Sequence, residues 1–318
     1  MDVVVAGSHG LIGSALVADL VEHGDRVRRL VRRGAGPSGS DRPDAGGMLD
    51  GGAVRAVPWD PRTGELDPAA LEGADAVVNL TGAGIGDHRW TPAYKQQLVG
   101  SRTTPTSLLA RSIARLDDPP VLVNSSGTGA YGSRGDEVLT ETSARGDGFL
   151  ADLVEAWENA TTPAAEAGGR VVWLRTGVVL TPSGGALGRL LPILRSGAGG
   201  PLGSGRQWWS WITLADEIAA IRHVITTDLH GAVNAVAPEP ATNRALVRAL
   251  AEELHRPALL AVPRFALRIA LGQLADDLLA SQRVMPEALV RTNFVWTHPD
   301  LRGAARWVVE SNEVSAPR

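Results

Sequence analysis

The stretch that decides the fold is Val3-Val4-Val5-Ala6-Gly7-Ser8-His9-Gly10-Leu11-Ile12-Gly13, close to the start of the 318-residue chain. Four apolar residues in a row predict a parallel strand covered on both faces, and a Gly-x-x-Gly-x-x-Gly turn follows directly. An amphipathic helix is predicted over residues 11–23. Free N–H groups and the positive end of the helix dipole then face the turn, which predicts dinucleotide binding. The predicted cofactor contacts are Gly7, Ser8, His9, Gly10, Leu11, Ile12 and Gly13.

The three glycines of that turn have separate predicted roles. Gly7 permits the tight turn, Gly10 lets the backbone approach the pyrophosphate, and Gly13 lets the helix pack on the strand. The alternative is a glycine-rich turn that opens some other α/β unit. The strand before the turn and the helix after it favour the nucleotide interpretation.

Composition excludes several classes of function. A net charge of −4 gives no broad attraction for nucleic acid, and the absence of cysteine excludes disulfides and thiol chemistry. No His, Asp and Glu spacing indicates a metal site. The chain enters its first strand without a signal-like segment, and no stretch is apolar enough to span a bilayer. We therefore expect a cytoplasmic protein with a small-molecule substrate, no membrane and no nucleic acid; the oligomeric state stays open.

Strands and helices alternate along the first half of the chain, which predicts a Rossmann-like, doubly wound parallel sheet of the α/β class. Its predicted strands are 26–31, 54–57, 74–80, 120–124 and 170–174, with helices at 91–116, interrupted at Pro105, and 148–167. A loop rich in Gly, Ser, Pro and Asp is predicted at 34–52.

Two regions are predicted. Residues 1–180 form the dinucleotide-binding region, and 181–318 form a smaller substrate-side region with segments that return to the first, including a C-terminal segment at about 250–300. Within the second region, helices are predicted at 213–225 and 243–255, a strand at 233–236, and apolar segments at 265–279 and 286–291.

Arg32 and Arg33 end the second predicted strand, where NAD-selective sheets carry an acidic residue that binds the ribose hydroxyls. A guanidinium instead matches a 2′-phosphate, because its planar fork donates two parallel hydrogen bonds. The pair therefore predicts NADP(H). The alternative is a solvated basic turn.

The sequence resembles the extended and atypical branch of the short-chain dehydrogenase/reductase superfamily, and within it the group called epimerase family proteins. The resemblance runs nearly end to end and implies a Rossmann fold with a small appended C-terminal domain. It is carried by the segments at 7–13, 78–82, 89–91, 101–102, 129–137, 174–180, 211–213 and 282–286.

The resemblance also implies further cofactor contacts. Arg102 occupies a helix position where relatives often carry a cofactor-contacting Asn, and Arg175 follows the sixth strand. The turns after two strands add Asp60, Leu80, Thr81 and Gly82. Asp60 equally suits a cap on the Pro-Arg-Thr turn that follows it.

The superfamily's usual acid and base, a Tyr-x-x-x-Lys pair, is absent. The two tyrosines are Tyr94 and Tyr131, neither has a lysine four residues on, and Phe149 and Leu153 stand in the expected place. A phenol with a pKa near 10 is a weak acid and base without such help. The catalytic candidates that remain are Ser125, which would also face the nicotinamide, and Tyr131, whose pKa a nearby Arg134 is expected to lower. A serine turn and a packed loop tyrosine are the alternatives.

The substrate side is expected to use aromatic and basic residues. An aromatic and cationic wall would stack a base or sugar and bind an anionic group; ordinary surface and packing roles are the alternatives. These candidates are His88, Trp90, Lys95, Arg206, Trp208, Trp209 and Trp211. Two hypotheses follow: an NADP(H)-dependent, epimerase-like oxidoreductase acting on a small polar substrate such as a nucleotide sugar, or a catalytically inactive NADP-binding regulatory or redox-sensing protein.

Overall fold

A computed structural model describes residues 1–32, 53–182 and 184–315, with side chains as far as residue 311. Its centre is an eight-stranded sheet in the order β12-β8-β6-β5-β1-β2-β3-β4. Seven of these strands are parallel, and β4 pairs antiparallel with β3. The strands are β1 Asp2–Ala6, β2 Arg26–Arg32, β3 Val54–Asp60, β4 Glu65–Leu66, β5 Ala76–Asn79, β6 Val121–Gly127, β8 Val171–Thr176 and β12 Gly231–Ala235. The predicted doubly wound parallel sheet is confirmed.

Helices cover both faces of the sheet and continue through the C-terminal part of the chain. They are α1 Leu11–Glu22, α2 Pro92–Ile113, α3 Phe149–Asn159, α4 Thr162–Glu166, α5 Gly185–Arg195, α6 Leu214–Thr226, α7 Asn243–Glu253, α8 Arg264–Leu271, α9 Leu274–Leu278, α10 Glu287–Arg291 and α11 Leu301–Ser315. Short 3-10 helices occupy Pro68–Ala70 and Thr128–Tyr131.

Three small sheets join segments distant in the sequence. β7 Val138–Leu139 pairs with β14 Arg283–Val284, and β9 Val178–Leu180 pairs with β11 Trp211–Thr213, both in parallel. β10 Trp208–Trp209 pairs antiparallel with β13 Ala241–Thr242. The C-terminal segment is thereby hydrogen-bonded to the first half of the chain.

The core follows from the alternation of side chains along buried strands. Val3 and Val5 pack in the cluster beneath α1 and α6, whereas Val4 and Ala6 pack in the cluster beneath α2 and α4. All four are fully buried. A strand buried on both faces is apolar throughout, as in the opening stretch.

Several predicted boundaries are wrong for local reasons. The helix predicted at 148–167 is two helices, α3 and α4, because Pro163 starts a new helix. The segment 265–279 divides at Gly272, whose φ of 63° favours glycine. By contrast, α2 continues through Pro105, which is buried among its apolar neighbours. Helix α11 lies outside the predicted elements. Residues 34–52 and Arg33 lie outside the described residues.

Candidate functional site

Two of the three glycines of the turn, Gly7 and Gly13, are required by contacts within the protein itself. Gly7 has a φ of 82°, and a Cβ there would lie 2.7 Å from the carbonyl carbon of Leu80. A Cβ at Gly13 would overlap the carbonyl oxygen of Gly7 and lie 2.9 Å from the Cα atom of Ser8. Gly7 therefore brings the turns after β1 and β5 together, and Gly13 seats α1 on the turn. Both residues must be glycine whether or not a ligand binds.

Gly10 differs from these two. A Cβ at Gly10 would meet only the carbonyl oxygen of Gly7, at an ordinary 3.4 Å. Its φ of −72° suits any residue. Helix α1 begins at the next residue without a side-chain cap or an acidic residue in its first turn. No side chain therefore caps the first N–H groups of α1, as pyrophosphate binding at a helix start requires.

Arg29, in the middle of β2, contacts the glycine turn. Its Nε donates to the Ser8 hydroxyl at 3.1 Å, and Nη2 lies 2.7 Å from Nε2 of His9. Since a guanidinium only donates, Nε2 of His9 is the acceptor. The contact holds both residues of the turn and places a positive charge beside the glycine turn.

Replacing Arg29 by Met is expected to weaken NADPH binding about tenfold, because the change removes one charge and frees Ser8 and His9. Calorimetric titration would measure the affinity. Arg26→Met, on the same strand, is the control, since the Arg26 side chain is 75% exposed and pairs with Asp2. Equal affinities in the Arg29 and Arg26 variants would contradict the assigned contact.

Arg32 is exposed at the last position of β2, and among the described residues it has no ion-pair partner. Arg33 lies outside the described residues. Asp60 caps its own turn: Oδ1 accepts from the backbone N–H of Arg62 at 2.9 Å, and its carbonyl accepts from Thr63. The Arg62 N–H bond holds the pKa of Asp60 below its ordinary value. These are the contacts expected of a residue that caps the Pro-Arg-Thr turn after it.

A buried amide cluster fixes the ends of β5 and β6. Nδ2 of Asn79 donates to Oδ1 of Asn124 at 2.7 Å and to the Thr106 hydroxyl at 2.8 Å. The Thr81 hydroxyl donates to Oδ1 of Asn79 at 2.6 Å. Leu80, Thr81 and Gly82 thus form a rigid turn at the carboxyl edge of the sheet, where doubly wound sheets bind ligands.

Arg102, in α2, packs against this turn. It is 6% exposed, and its guanidinium donates to the carbonyl oxygens of Leu98 and Ala83. A Cβ at Gly82 would lie 3.0 Å from Cζ of Arg102, so a larger residue here would displace the guanidinium slightly. Burial lowers the pKa of Arg102 to about 10. Its Nε has no hydrogen-bond partner within the described part of the chain.

Of the two serines at the end of β6, only one has a free hydroxyl. Ser126 donates to Oε1 of Glu158 at 2.7 Å. The half-buried Ser125 hydroxyl makes no hydrogen bond with any residue that the structure describes. Ser125 is thus free to hold a ligand oxygen.

Arg175 is engaged inside the protein. Its Nε and Nη2 contact the two carboxylate oxygens of Glu158 at 2.9 and 2.8 Å. Its Nη1 donates to the Tyr131 hydroxyl at 3.1 Å. This bidentate ion pair, between the buried Glu158 and the partly buried Arg175, joins β8 to α3.

Tyr131 is fully buried, and its hydroxyl donates to Oδ1 of Asn234 at 2.7 Å. Burial raises the pKa of Tyr131, and the neighbouring Arg175 opposes that effect only partly. Arg134, expected to lower this pKa, instead pairs with Glu137 at 2.6 Å. That expectation is corrected: the cation on Tyr131 is Arg175, because it projects from β8 directly beneath the ring.

Three of the residues predicted to face a substrate lie at or just before the start of α2. Trp90 is buried and donates to the carbonyl oxygen of Ile85 at 2.8 Å. His88 is exposed, with its ring edge-on to Tyr94 at 5.0 Å. Lys95 lies over the rings of Trp90 and Phe149. Trp90 and Lys95 therefore meet the first turn of α3.

The three tryptophans near residue 210 do not form the single aromatic and cationic surface that the sequence predicts. Trp211 is 1% exposed and packs in the core beneath α5 and α7. Trp208 and Trp209 lie in β10, where their indole N–H groups donate to Asp136 and to the carbonyl oxygen of Leu278. The cation above Trp208 is Arg283, at 4.6 Å, whereas Arg206 is exposed.

Sequence reasoning missed the buried ionisable residues of this region, because a carboxylate in an apolar helix carries no motif. Glu158 lies in α3, and Glu217 lies in the first turn of α6. In the sequence, the one sign of such a residue is its position on the apolar face of an amphipathic helix, where burying an unpaired charge costs free energy. Within residues 1–32, 53–182 and 184–315, no group of acidic or histidine residues is arranged to hold a metal, and no helix could cross a membrane.

Comparisons with known proteins agree with this geometry. The pattern of the NAD dependent epimerase/dehydratase family matches residues 3–236, and a domain of unknown function, DUF1731, matches residues 262–308. Epimerase family protein Mb2239 of Mycobacterium bovis is 44% identical over 298 residues, covering 93% of each chain. Human epimerase family protein SDR39U1 is 34% identical, covering 97% of this chain and 100% of the relative.

Solved structures give the same assignment. The crystal structure of human epimerase family protein SDR39U1 with NADPH superimposes with a TM-score of 0.84 at 31% identity, covering 98% of this chain and 99% of that one. A nucleoside-diphosphate sugar epimerase from Corynebacterium glutamicum gives a TM-score of 0.74 at 32% identity, covering 97% of this chain and 58% of the other. The predicted resemblance is confirmed, and the chain belongs to the NAD-dependent epimerase/dehydratase family.

Proposed function

We propose that the protein is an NADP(H)-binding, epimerase-like oxidoreductase that acts on a small polar substrate, with nucleotide sugars as the first class to test. The observation that carries the proposal is Gly10, which has no packing reason to be glycine and borders the uncapped start of α1. The similarity to human SDR39U1, solved with NADPH, supports the choice of cofactor.

The residues present fit this cofactor. The first N–H groups of α1 bind the pyrophosphate, and Gly10 lets it approach. Arg29 holds the turn, and the exposed Arg32 binds the 2′-phosphate. The buried cation of Arg102, which has no acidic partner among the described residues, adds positive potential beneath the turn after β5.

When bound, the nicotinamide supplies or accepts a hydride. The chain's own contribution is to hold the substrate beside it. The free hydroxyl of Ser125 at the end of β6 donates to a substrate oxygen, and the aromatic rings of Trp90 and Phe149 exclude water from one side.

Thermal unfolding in the presence of each cofactor tests the binding claim. A ligand present at about 100 times its dissociation constant stabilises the native state by about 2.7 kcal/mol. We expect NADPH to raise the unfolding temperature at lower concentration than NADH. A screen of nucleotide sugars and small carbonyl compounds, read as NADPH oxidation or as epimerisation without net oxidation, then tests turnover. No stabilisation by either cofactor would refute the proposal.

Arg32→Asp is expected to weaken NADPH binding about 30-fold while NADH affinity changes less than about threefold, because only NADPH carries the 2′-phosphate. Calorimetry with both cofactors measures the difference. Arg55→Asp makes the same charge change at an exposed position of the neighbouring strand β3 and serves as the control. Equal losses for NADPH and NADH would refute the phosphate role of Arg32.

A second candidate is a cofactor-binding regulatory or redox-sensing protein without turnover. It is favoured by Phe149 and Leu153 in the first turns of α3, where the family resemblance expects the tyrosine and lysine. The buried position of Tyr131 also favours it. Both candidates require NADP(H), so turnover in the screen separates them. Turnover that Ser125→Ala abolishes would favour the enzyme.

A further inference from the structure

The exposed face of α8 carries two large apolar side chains beside two arginines. Phe265 and Ile269 are 68% and 71% exposed, and their spacing of four residues places them in one row along the helix. Arg264 and Arg268 form the adjacent row and are also exposed. Leu267, on another face of the same helix, is buried. Helix α8 is therefore seated on the protein by one face and leaves an apolar and basic face to solvent.

The loop before α8 adds two exposed leucines. Leu259 and Leu260 are 83% and 60% exposed. They precede Phe265 by five or six residues, so their Cα atoms lie at most about 22 Å from that of Phe265. Exposed apolar residues that are scattered singly are ordinary, whereas a group of large ones is typical of an interaction site. We call this group the α8 surface; its members are Leu259, Leu260, Arg264, Phe265, Arg268 and Ile269.

The charge of the α8 surface is opposite in sign to that of the whole protein. From the end of α7 to the end of α8 the sequence contains three arginines and no acidic residue, in a chain with a net charge of −4. Arg264 and Arg268 share a single carboxylate, Asp276, at 3.5 and 2.7 Å. One positive charge of the two therefore remains uncompensated by that contact.

The start of the loop is basic as well. Arg256 donates to the carbonyl oxygen of Arg195 at 3.0 Å, which brings two exposed arginines together. The two acidic residues that end α7 lie closer to other arginines: Glu252 is 3.9 Å from Arg248, and Glu253 is 3.7 Å from Arg306. The apolar residues of the α8 surface thus have a basic border, which complements an anionic partner.

The shape of the α8 surface favours one kind of anionic partner. A second copy of the chain in a two-fold interface would place the same arginines opposite each other, which like-charge repulsion opposes. A partner helix needs a groove for its apolar face, whereas Leu259, Phe265 and Ile269 each leave more than two thirds of their area exposed. Apolar side chains that project beside arginines match the interface of an anionic bilayer.

We propose that the α8 surface attaches the protein reversibly to membranes that contain anionic phospholipids. The four apolar side chains enter the lipid interface, and Arg264 and Arg268 contact the phosphate groups. Helix α8 has eight residues, too few to cross a bilayer, so it lies along the membrane surface. The sequence-based expectation of no membrane came from the lack of a spanning or signal-like segment, and attachment along the surface needs neither. This contact requires no cofactor and no turnover, so it stands apart from the proposed function.

Flotation with lipid vesicles tests the attachment. The full chain is mixed with vesicles of phosphatidylcholine alone or with about 30% phosphatidylglycerol added. We expect at least about tenfold tighter binding to the anionic vesicles, and a loss of that difference at high salt, because the attraction of arginine to the headgroups is screened. No binding to the anionic vesicles at low salt would overturn the proposal.

The apolar row is tested by Phe265→Ser/Ile269→Ser. We expect at least about a tenfold loss of affinity for anionic vesicles, because two large side chains no longer leave water on binding. Val290→Ser/Val295→Ser is the control: both valines are exposed, and α10, which carries Val290, packs on β12 rather than on α9. Equal affinities of the two double variants would overturn the role of α8. Thermal unfolding checks that each variant folds.

The basic row is tested by Arg264→Gln/Arg268→Gln. We expect about a tenfold loss of affinity for the anionic vesicles and less than about a twofold loss for the neutral ones. The matched control is Arg111→Gln/Arg115→Gln, an exposed pair with the same spacing at the carboxyl end of α2, whereas α9 contacts α2 near its start. The same loss in both double variants would mean that net charge alone drives binding, which would contradict a specific surface.

The absence of cysteine allows the contact to be located directly. Phe265→Cys and Val295→Cys each introduce one thiol, which is labelled with a fluorophore whose emission shifts to the blue in an apolar environment. We expect anionic vesicles to shift the emission at position 265 and leave it unchanged at 295. A shift of equal size at both positions, or at neither, would overturn the proposal.

Light scattering after size-exclusion chromatography tests a second copy of the chain as the occupant. We expect the wild type and Phe265→Ser/Ile269→Ser to have the same mass without lipid. A wild-type dimer that this variant converts to a monomer would show that the α8 surface joins two copies, and it would overturn the membrane proposal.

Discussion

Gly10→Ala is expected to reduce NADPH affinity about 100-fold, or about 2.7 kcal/mol, while leaving the fold intact. The added methyl meets only the Gly7 carbonyl oxygen, at 3.4 Å, and the backbone conformation suits alanine. The methyl does, however, occupy the space through which the pyrophosphate reaches the N–H groups of α1. Calorimetric titration measures the affinity, and urea unfolding without ligand measures the stability.

Gly13→Ala is the matched comparison, since it adds the same methyl two residues into α1. There the methyl overlaps the Gly7 carbonyl oxygen, so we expect a loss of stability of about 2 kcal/mol or more before any ligand is added. A glycine required for ligand binding should show a loss of affinity on substitution, whereas a glycine required for packing should show a loss of stability without ligand. An unchanged affinity in Gly10→Ala would contradict the site assignment.

Glu217→Gln is expected to change how stability depends on pH. Glu217 is fully buried, Oε1 accepts from the Thr176 hydroxyl at 2.7 Å, and Oε2 has no partner among the described residues. Burial raises the pKa of Glu217 to about 8 from an ordinary 4.5. A carboxyl with a raised pKa in the folded state favours folding below the unfolded pKa, and this stability is lost as the pH rises towards the folded pKa.

The loss between about pH 4.5 and pH 8 is on the order of 5 kcal/mol for the wild type, since each pKa unit corresponds to 1.36 kcal/mol. Glutamine cannot ionise, so Glu217→Gln should gain stability over the wild type at pH 9 and little at pH 5. Urea unfolding at both pH values measures this. Glu72→Gln, at an exposed glutamate, is the control and should follow the wild type. If Glu217→Gln changed the free energy of unfolding by the same amount at both pH values, the raised pKa of Glu217 would be contradicted.

The parallel sheet was predictable because strands β1, β5, β6 and β8 contain short apolar runs and the first turn carries glycines at a spacing that few other structures require. Boundaries within helices were less predictable. Pro105 predicts an interruption from local chemistry, yet the burial of α2 against α3 and α4 keeps it continuous. Gly272 divides the segment 265–279 through its positive φ, which the sequence allows without requiring.

The cofactor turn was predictable from sequence, whereas the remaining contacts depend on residues far apart in the chain. Arg29 meets Ser8 and His9 only because β2 lies beside β1 in the sheet. Lys95 and Gln273 come from separate regions, and they form a hydrogen bond only because α9 packs on the start of α2 and α3. Such pairings carry no local sequence signal.

Cofactor binding is tested most directly by calorimetric titration of the purified protein with NADPH and NADH under the same conditions. We expect one saturable site for NADPH with an affinity at least about tenfold higher than for NADH, because the 2′-phosphate adds a charge-assisted contact with Arg32. Absence of saturable binding by either dinucleotide would contradict the central claim that the turn at Gly10 holds a nicotinamide cofactor.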